Sequence, residues 1–216
     1  MKENNNDVES QVNRISSYAE LSELRKMRVW APYKLVNGIA VPYDSCTGKL
    51  NFSTDSEGNY LNFEGVAKLG LKKRTDGDFI FDGIGVYTGT NVLSVHLEYG
   101  GDKDKEVRRI VEEISSYTEY SYLGGYLTVI FLSEDKCNDT RAVRGFEVFH
   151  QLDSIFDPEL TIMETTGGFV PLGGRLYDKK VRGLRSAAPF WLWMQLHFIK
   201  FVLACEKYLT QPPALI

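Results

Sequence analysis

The sequence predicts an α+β fold, a mostly antiparallel central sheet flanked by helices. Three observations lead there. Short apolar runs rich in Val, Ile, Tyr and Phe recur between Gly, Pro and Asn residues, as in strands joined by turns. Lys105 to Tyr117 (KEVRRIVEEISSY) carries Val107, Ile110, Val111 and Ile114 at helical spacing. Aromatic residues make up 12% of the 216, with 12 Tyr and 12 Phe, a content that suits β-rich packing or a stacking surface.

The elements follow in order. Met1 to Asn13 is polar and expected to be loose. Ser16 to Lys26 has helical composition and completes an N-terminal part spanning residues 1–28. Val29 to Leu35 and Gly38 to Asp44 are extended runs around Asn37-Gly38. Thr47-Gly48 and Ser53 to Asn59 are turn-like, and Asn62 can cap a short helix over Asn62–Leu69. Asp78 to Thr88 and Val92 to Tyr99 are strands, with Gly89-Thr90-Asn91 as the turn between them. In the second strand Leu93, Val95 and Leu97 share one face, while Ser94, His96 and Glu98 share the other. After the Lys105–Tyr117 helix, Thr118 to Ser121 leads through Gly124-Gly125 to a strand at Tyr126–Leu132. Phe146 to His150 is a further strand, with Leu160 to Glu164 as another candidate, and Gly167-Gly168 and Gly173-Gly174 mark turns.

Residues 29–186 thus form the main domain, and residues 187–216 a C-terminal apolar helix. Pro189 to Cys205 (PFWLWMQLHFIKFVLAC) is interrupted by Gln195, His197 and Lys200. It falls short of the roughly 20 apolar residues of a membrane span, so a buried or partner-docking helix is expected.

Composition excludes several classes. Net charge is −4, from 25 Lys+Arg and 29 Asp+Glu, so the chain is neither a polycation nor built around an acidic tail. Cys46, Cys137 and Cys205 are isolated from one another and form no C-x-x-C pair, which argues against a disulfide framework or a structural zinc site and suits a reducing cytoplasm. His96, His150 and His197 make no H-E-x-x-H pattern, and MKENNNDVES is no signal peptide.

Two patterns bear on chemistry. Gly83-Ile84-Gly85-Val86-Tyr87-Thr88-Gly89 resembles a phosphate-binding glycine loop but runs into another strand rather than a helix. A hairpin with close strand approach is the reading it favours. Glu98, with His96 on the same strand face, and Glu147, inside another apolar strand, are carboxylates in strand contexts. Carboxylates so placed either project into a cleft that holds a divalent ion or face water on a half-exposed sheet. Spacing alone favours the half-exposed sheet.

A further pattern is carried by order. Trp30-Ala31-Pro32-Tyr33, Val41-Pro42-Tyr43-Asp44, Thr47-Gly48, Ser53-Thr54-Asp55, Asp82-Gly83-Ile84-Gly85-Val86 and Val95-His96-Leu97-Glu98 come in succession, followed by Thr118-Glu119-Tyr120-Ser121 with Gly124, Phe146-Glu147-Val148-Phe149 and Thr166-Gly167. Over Val29–Gly168 this resembles the N-terminal primase–polymerase domain of phage and plasmid replication proteins, in the archaeo-eukaryotic primase superfamily. The resemblance implies an archaeo-eukaryotic primase-like fold with a catalytic acidic-x-acidic strand at Val95–Glu98. It also implies a nucleotide-phosphate contact in Ser121–Thr128, involving Ser121, Gly124 and Thr128, and a third acidic ligand at Glu147. Divalent magnesium or manganese would then sit among His96, Glu98 and Glu147.

The sequence departs from that pattern at His96, where an Asp is expected, at Thr128, where a His is expected, and at Ala40, where a Lys is common. A neutral His removes a bridging carboxylate, and Thr removes a cationic donor to phosphate. Losing one such contact costs about 10²–10³ in rate. The resemblance therefore implies a degenerate primase–polymerase-like protein of mobile-element or phage DNA replication, acting through DNA or a partner and needing no cofactor. Alternatives are a manganese-preferring nucleotidyltransferase and an interaction subunit using the C-terminal helix. DNA, single-stranded or primer–template, is the expected partner, with a replication helicase or a second copy as further possibilities and a membrane disfavoured. Arg141, Arg144, Lys179, Lys180, Arg182 and Arg185 are candidate phosphate contacts, or else a solvated basic surface.

Overall fold

The computed structural model describes residues 8–45, 47–50, 60–88, 91–101, 104–122, 124–133, 162–165, 168–178 and 183–187, together with 195, 198 and 202. The architecture is α+β, with antiparallel sheets flanked by helices. Helix α1 (Val8–Ser17) leads through a 3₁₀ turn at Ala19–Leu21 to α2 (Ser22–Lys26). The part of the head expected to be loose is therefore helical from Val8. Val8, Val12 and Ile15 recur at helical spacing and are buried, so their packing outweighs the polar composition around them.

The first sheet has the order β3-β2-β1-β4-β9, in which β1 is Trp30–Val36, β2 Ile39–Asp44, β3 Lys49–Leu50, β4 Gly83–Thr88 and β9 Gly168–Pro171. The β1–β2 hairpin turns at Asn37 and Gly38, both at positive φ (53° and 80°), as a two-residue Asn-Gly turn requires. Helix α3 (Phe63–Gly70) is capped by Asn62, whose side chain accepts from Gly65 N at 2.9 Å. Trp30, Ile84 and Val86 share a buried core with Val8, Ile15, Phe63 and Val66. The indole of Trp30 meets Phe63 edge-on at 5.0 Å and donates Nε1–H to Leu24 O at 2.8 Å.

The glycine run at 83–89 enters strand β4, not a helix. An added Cβ on Gly85 would lie 2.4 Å from Val170 O, and one on Gly83 would lie 2.5 Å from Tyr33 Oη. Gly85 thus permits the close approach of β9. However, β4 pairs with β1 and β9, while the Val92–Glu98 strand pairs with Tyr126–Ser133 and Ile162–Thr165 in a second sheet, so the expected hairpin between residues 78–88 and 92–99 does not form.

The second sheet places β5 (Val92–Glu98) between β7 (Tyr126–Ser133) and β8 (Ile162–Thr165). On the other side of β7 lie β6 (Thr118–Tyr120) and β10 (Ser186–Ala187); β10 runs parallel and the rest antiparallel. Leu93, Val95 and Leu97 pack with Leu127, Val129 and Phe131 against Val107, Ile110, Val111 and Ile114 of α4 (Asp104–Ile114). Each such buried side chain contributes about 1.5–3 kcal/mol, which holds α4 to the sheet. On the opposite face Val92 and Ile130 join the first core.

Strands β6 and β9 fall in stretches that sequence alone reads as lead-in and turn. Both are short and find their partners through pairing across the sheet. The Phe146–His150 strand and the Ser53–Asn59 turn lie outside the described residues. Gln195, Phe198 and Val202 are helical, in line with the C-terminal helix, but Phe198, expected on its buried face, is 67% exposed. No helix among the described residues is long and apolar enough to cross a membrane.

Candidate functional site

Strand alternation puts His96 and Glu98 on the face of β5 away from α4, and both are half-buried. Antiparallel pairing brings Thr128 directly opposite His96, and Glu98 opposite Tyr126. Thr128 is buried, and its Oγ1 lies 3.2 Å from His96 Nδ1, within hydrogen-bonding distance. Burial holds the imidazole below its ordinary pKa, so the ring is neutral at pH 7 and leaves Nε2 as its other polar atom. Two of the three positions that depart from the resembled pattern, His96 and Thr128, are thus paired with each other.

The remaining candidates are distributed as follows. Ser121 and Gly124 lie in the turn between β6 and β7, where Gly124 N donates to Ser121 O at 3.1 Å and Ser121 N to Tyr126 O at 2.9 Å. Gly124 has φ 73°, a conformation open to glycine at low cost. From the same turn Tyr122 packs edge-on against Tyr33 of β1 at 5.8 Å, linking the two sheets. Arg185 is exposed on one side, but its Nη1 donates to Ile114 O at 2.9 Å. It therefore caps the C-terminus of α4, a structural contact at a residue that sequence reading gave as a phosphate contact or part of a solvated basic surface. Glu147, Arg141, Arg144, Lys179, Lys180 and Arg182 lie outside the described residues.

A divalent ion needs more than the described face supplies. No three His, Cys, Asp or Glu side chains among the described residues come together to hold a metal. His96 and Glu98 offer one imidazole and one carboxylate, and magnesium prefers oxygen ligands.

The pairing also brings in a carboxylate that sequence reading passed over. Glu119 of β6 pairs with Thr128, so Glu119, Thr128 and His96 form a row across three strands. Glu119 is fully buried. Its Oε2 accepts from Tyr117 Oη at 2.7 Å and Gly174 N at 2.9 Å, and its Oε1 accepts from Gly173 N at 2.7 Å. Helix α1 grips the same turn from the other side. Arg14 Nε donates to Gly173 O and Tyr18 Oη to Gly174 O, each at 2.9 Å. Burial pushes the carboxyl up to about 7, against the pull of the Tyr117, Gly173 and Gly174 hydrogen bonds and the Arg14 charge. No local pattern marks Glu119, because its burial depends on α1 and residues 173–174, far away in sequence.

Compared with protein-family models and with curated proteins, the chain matches none.

Proposed function

We propose that the chain is a degenerate primase–polymerase-like module that binds DNA in the replication of a mobile element or phage, without templated synthesis of its own. One observation carries the reading. The strand with the acidic-x-acidic resemblance is paired, in register, with the strand of the nucleotide-phosphate resemblance, and two of the altered positions, His96 and Thr128, meet at 3.2 Å. The pair satisfies itself. The imidazole is neutral and engages a hydroxyl, so it supplies neither the charge that holds two metal ions nor a cation for a triphosphate.

Primer extension on a primed single-stranded template tests this, with magnesium and with manganese in separate reactions. The expected result is no extension with either metal, alongside DNA binding that weakens steeply with salt. Efficient incorporation that Glu98→Ala abolishes overturns the reading in favour of a working nucleotidyltransferase. Phe198, 67% exposed on the terminal helix, favours a second reading, an interaction subunit that pairs with another copy. Under that reading, deleting residues 188–216 halves the mass in solution.

A further inference from the structure

Beyond the His96 face, the opposite face of the same sheet carries three tyrosines in mutual contact. Tyr99 and Tyr120 have ring centroids 5.5 Å apart, Tyr120 and Tyr177 5.5 Å, and Tyr99 and Tyr177 6.1 Å, with interplanar angles of 70°, 70° and 76°. Residues 175–177 run beside β6 as an added edge. Tyr120 N donates to Arg175 O at 2.8 Å, Tyr177 N donates to Thr118 O at 2.9 Å, and Glu119 bridges to Leu176. Alternation then turns Leu176 with Glu119 toward the first core and leaves Arg175 and Tyr177 on the face of Tyr120.

We propose that Tyr99, Tyr120 and Tyr177 form a stacking platform for unpaired bases of a single-stranded nucleic acid, with Arg175 on the same face to meet the phosphates. This rests on the nucleic-acid reading above and assigns it a surface. Tyr120 is 37% exposed and Tyr99 and Tyr177 are half-buried, so ring area is open to solvent. The edge-to-face contacts fix the three rings relative to one another. Tyr99 and Tyr177 pack their inner sides against the second core, under α4, which holds the rings in place, and stacking on the outer ring surface tolerates any base. Charge points the same way on one side. Arg175 is exposed on the face of Tyr120. The Asp104 carboxylate lies near Tyr120, so the phosphates are expected on the Arg175 side.

The test uses the full chain and a fluorescent oligothymidine, with binding read by anisotropy. The wild type is expected to bind the single strand more tightly than the same sequence in duplex, whose bases are already stacked. Tyr120→Leu should weaken single-strand binding about tenfold or more, and Tyr120→Phe should retain it, because stacking needs the ring and not the hydroxyl. Should Tyr120→Leu fail to fold, photocrosslinking of wild type to an iododeoxyuridine strand replaces it, with adducts expected on Tyr120 or Tyr177. Wild-type binding that Tyr120→Leu leaves unchanged, or adducts only elsewhere, overturns the platform and leaves the nucleic-acid reading standing. Absence of any DNA binding by the wild type overturns both.

Discussion

His96 and Thr128 are direct cross-strand partners whose side chains meet at 3.2 Å on a face shared with Glu98. Unpaired, each would destabilise the sheet, since a buried polar group without a partner costs about 1–3 kcal/mol. Paired, they satisfy one another. Thr128→Val keeps the shape and removes the hydroxyl. It should lower stability by about 1 kcal/mol, read from urea denaturation, and His96→Asn in the same background should show less than additive loss.

His96 also sets a pH dependence. Burial lowers its pKa below 6.5, so the unfolded chain binds the extra proton first. Its contribution to stability is therefore complete above pH 6.5 and is lost as pH falls from there through the lower folded-state pKa. Titrating the His96 imidazole by NMR should place its midpoint below 6.5, and a midpoint at or above 6.5 would contradict its burial.

Glu119 acts in the opposite sense. Its carboxyl is raised from 4.5 to about 7, so between those values the native state holds the extra proton. Stability from this group is present below about pH 4.5 and declines as pH rises through about 7. Glu119→Gln removes that slope. The difference in unfolding free energy between variant and wild type should change by on the order of 3 kcal/mol from pH 4 to pH 8, in favour of the variant at high pH. A constant penalty of about 1–3 kcal/mol underlies it, because the amide NH₂ faces donors from Tyr117, Gly173 or Gly174.

Gly85 and Gly38 should respond differently to alanine. Gly85 has the Val170 carbonyl and the Pro171 Cα of β9, both backbone, 2.4 and 2.9 Å from the site of a Cβ, so Gly85→Ala forces the β4–β9 pair apart. Gly38 has open space but φ 80°, so Gly38→Ala costs only the left-handed strain of about 1 kcal/mol. Thermal melts should show the larger drop for Gly85→Ala.

Arg185→Ala should lower the melting temperature, because the guanidinium bond to Ile114 O is worth about 1 kcal/mol. The salt slope of DNA binding should stay unchanged. A slope that flattens by about one would make Arg185 a phosphate contact as well.

The sequence by itself determined the elements that local pattern encodes. The α4 stripe, the two faces of β5, the Asn62 cap and the Asn37-Gly38 turn each depend on residues within a few positions, and each is where the pattern puts it. The resemblance drew attention to His96, Glu98 and Thr128 one by one. Only the tertiary structure decided that His96 and Thr128 bond to each other, that Glu119 completes their row, and that Tyr99, Tyr120 and Tyr177 meet. It also decided that Val8–Ser17 is helix and that Arg185 caps α4. The reason is physical. Strand register and the burial of a polar side chain depend on partners tens of residues away, such as Gly173 for Glu119. No periodicity within one strand records which face of which neighbour it will meet.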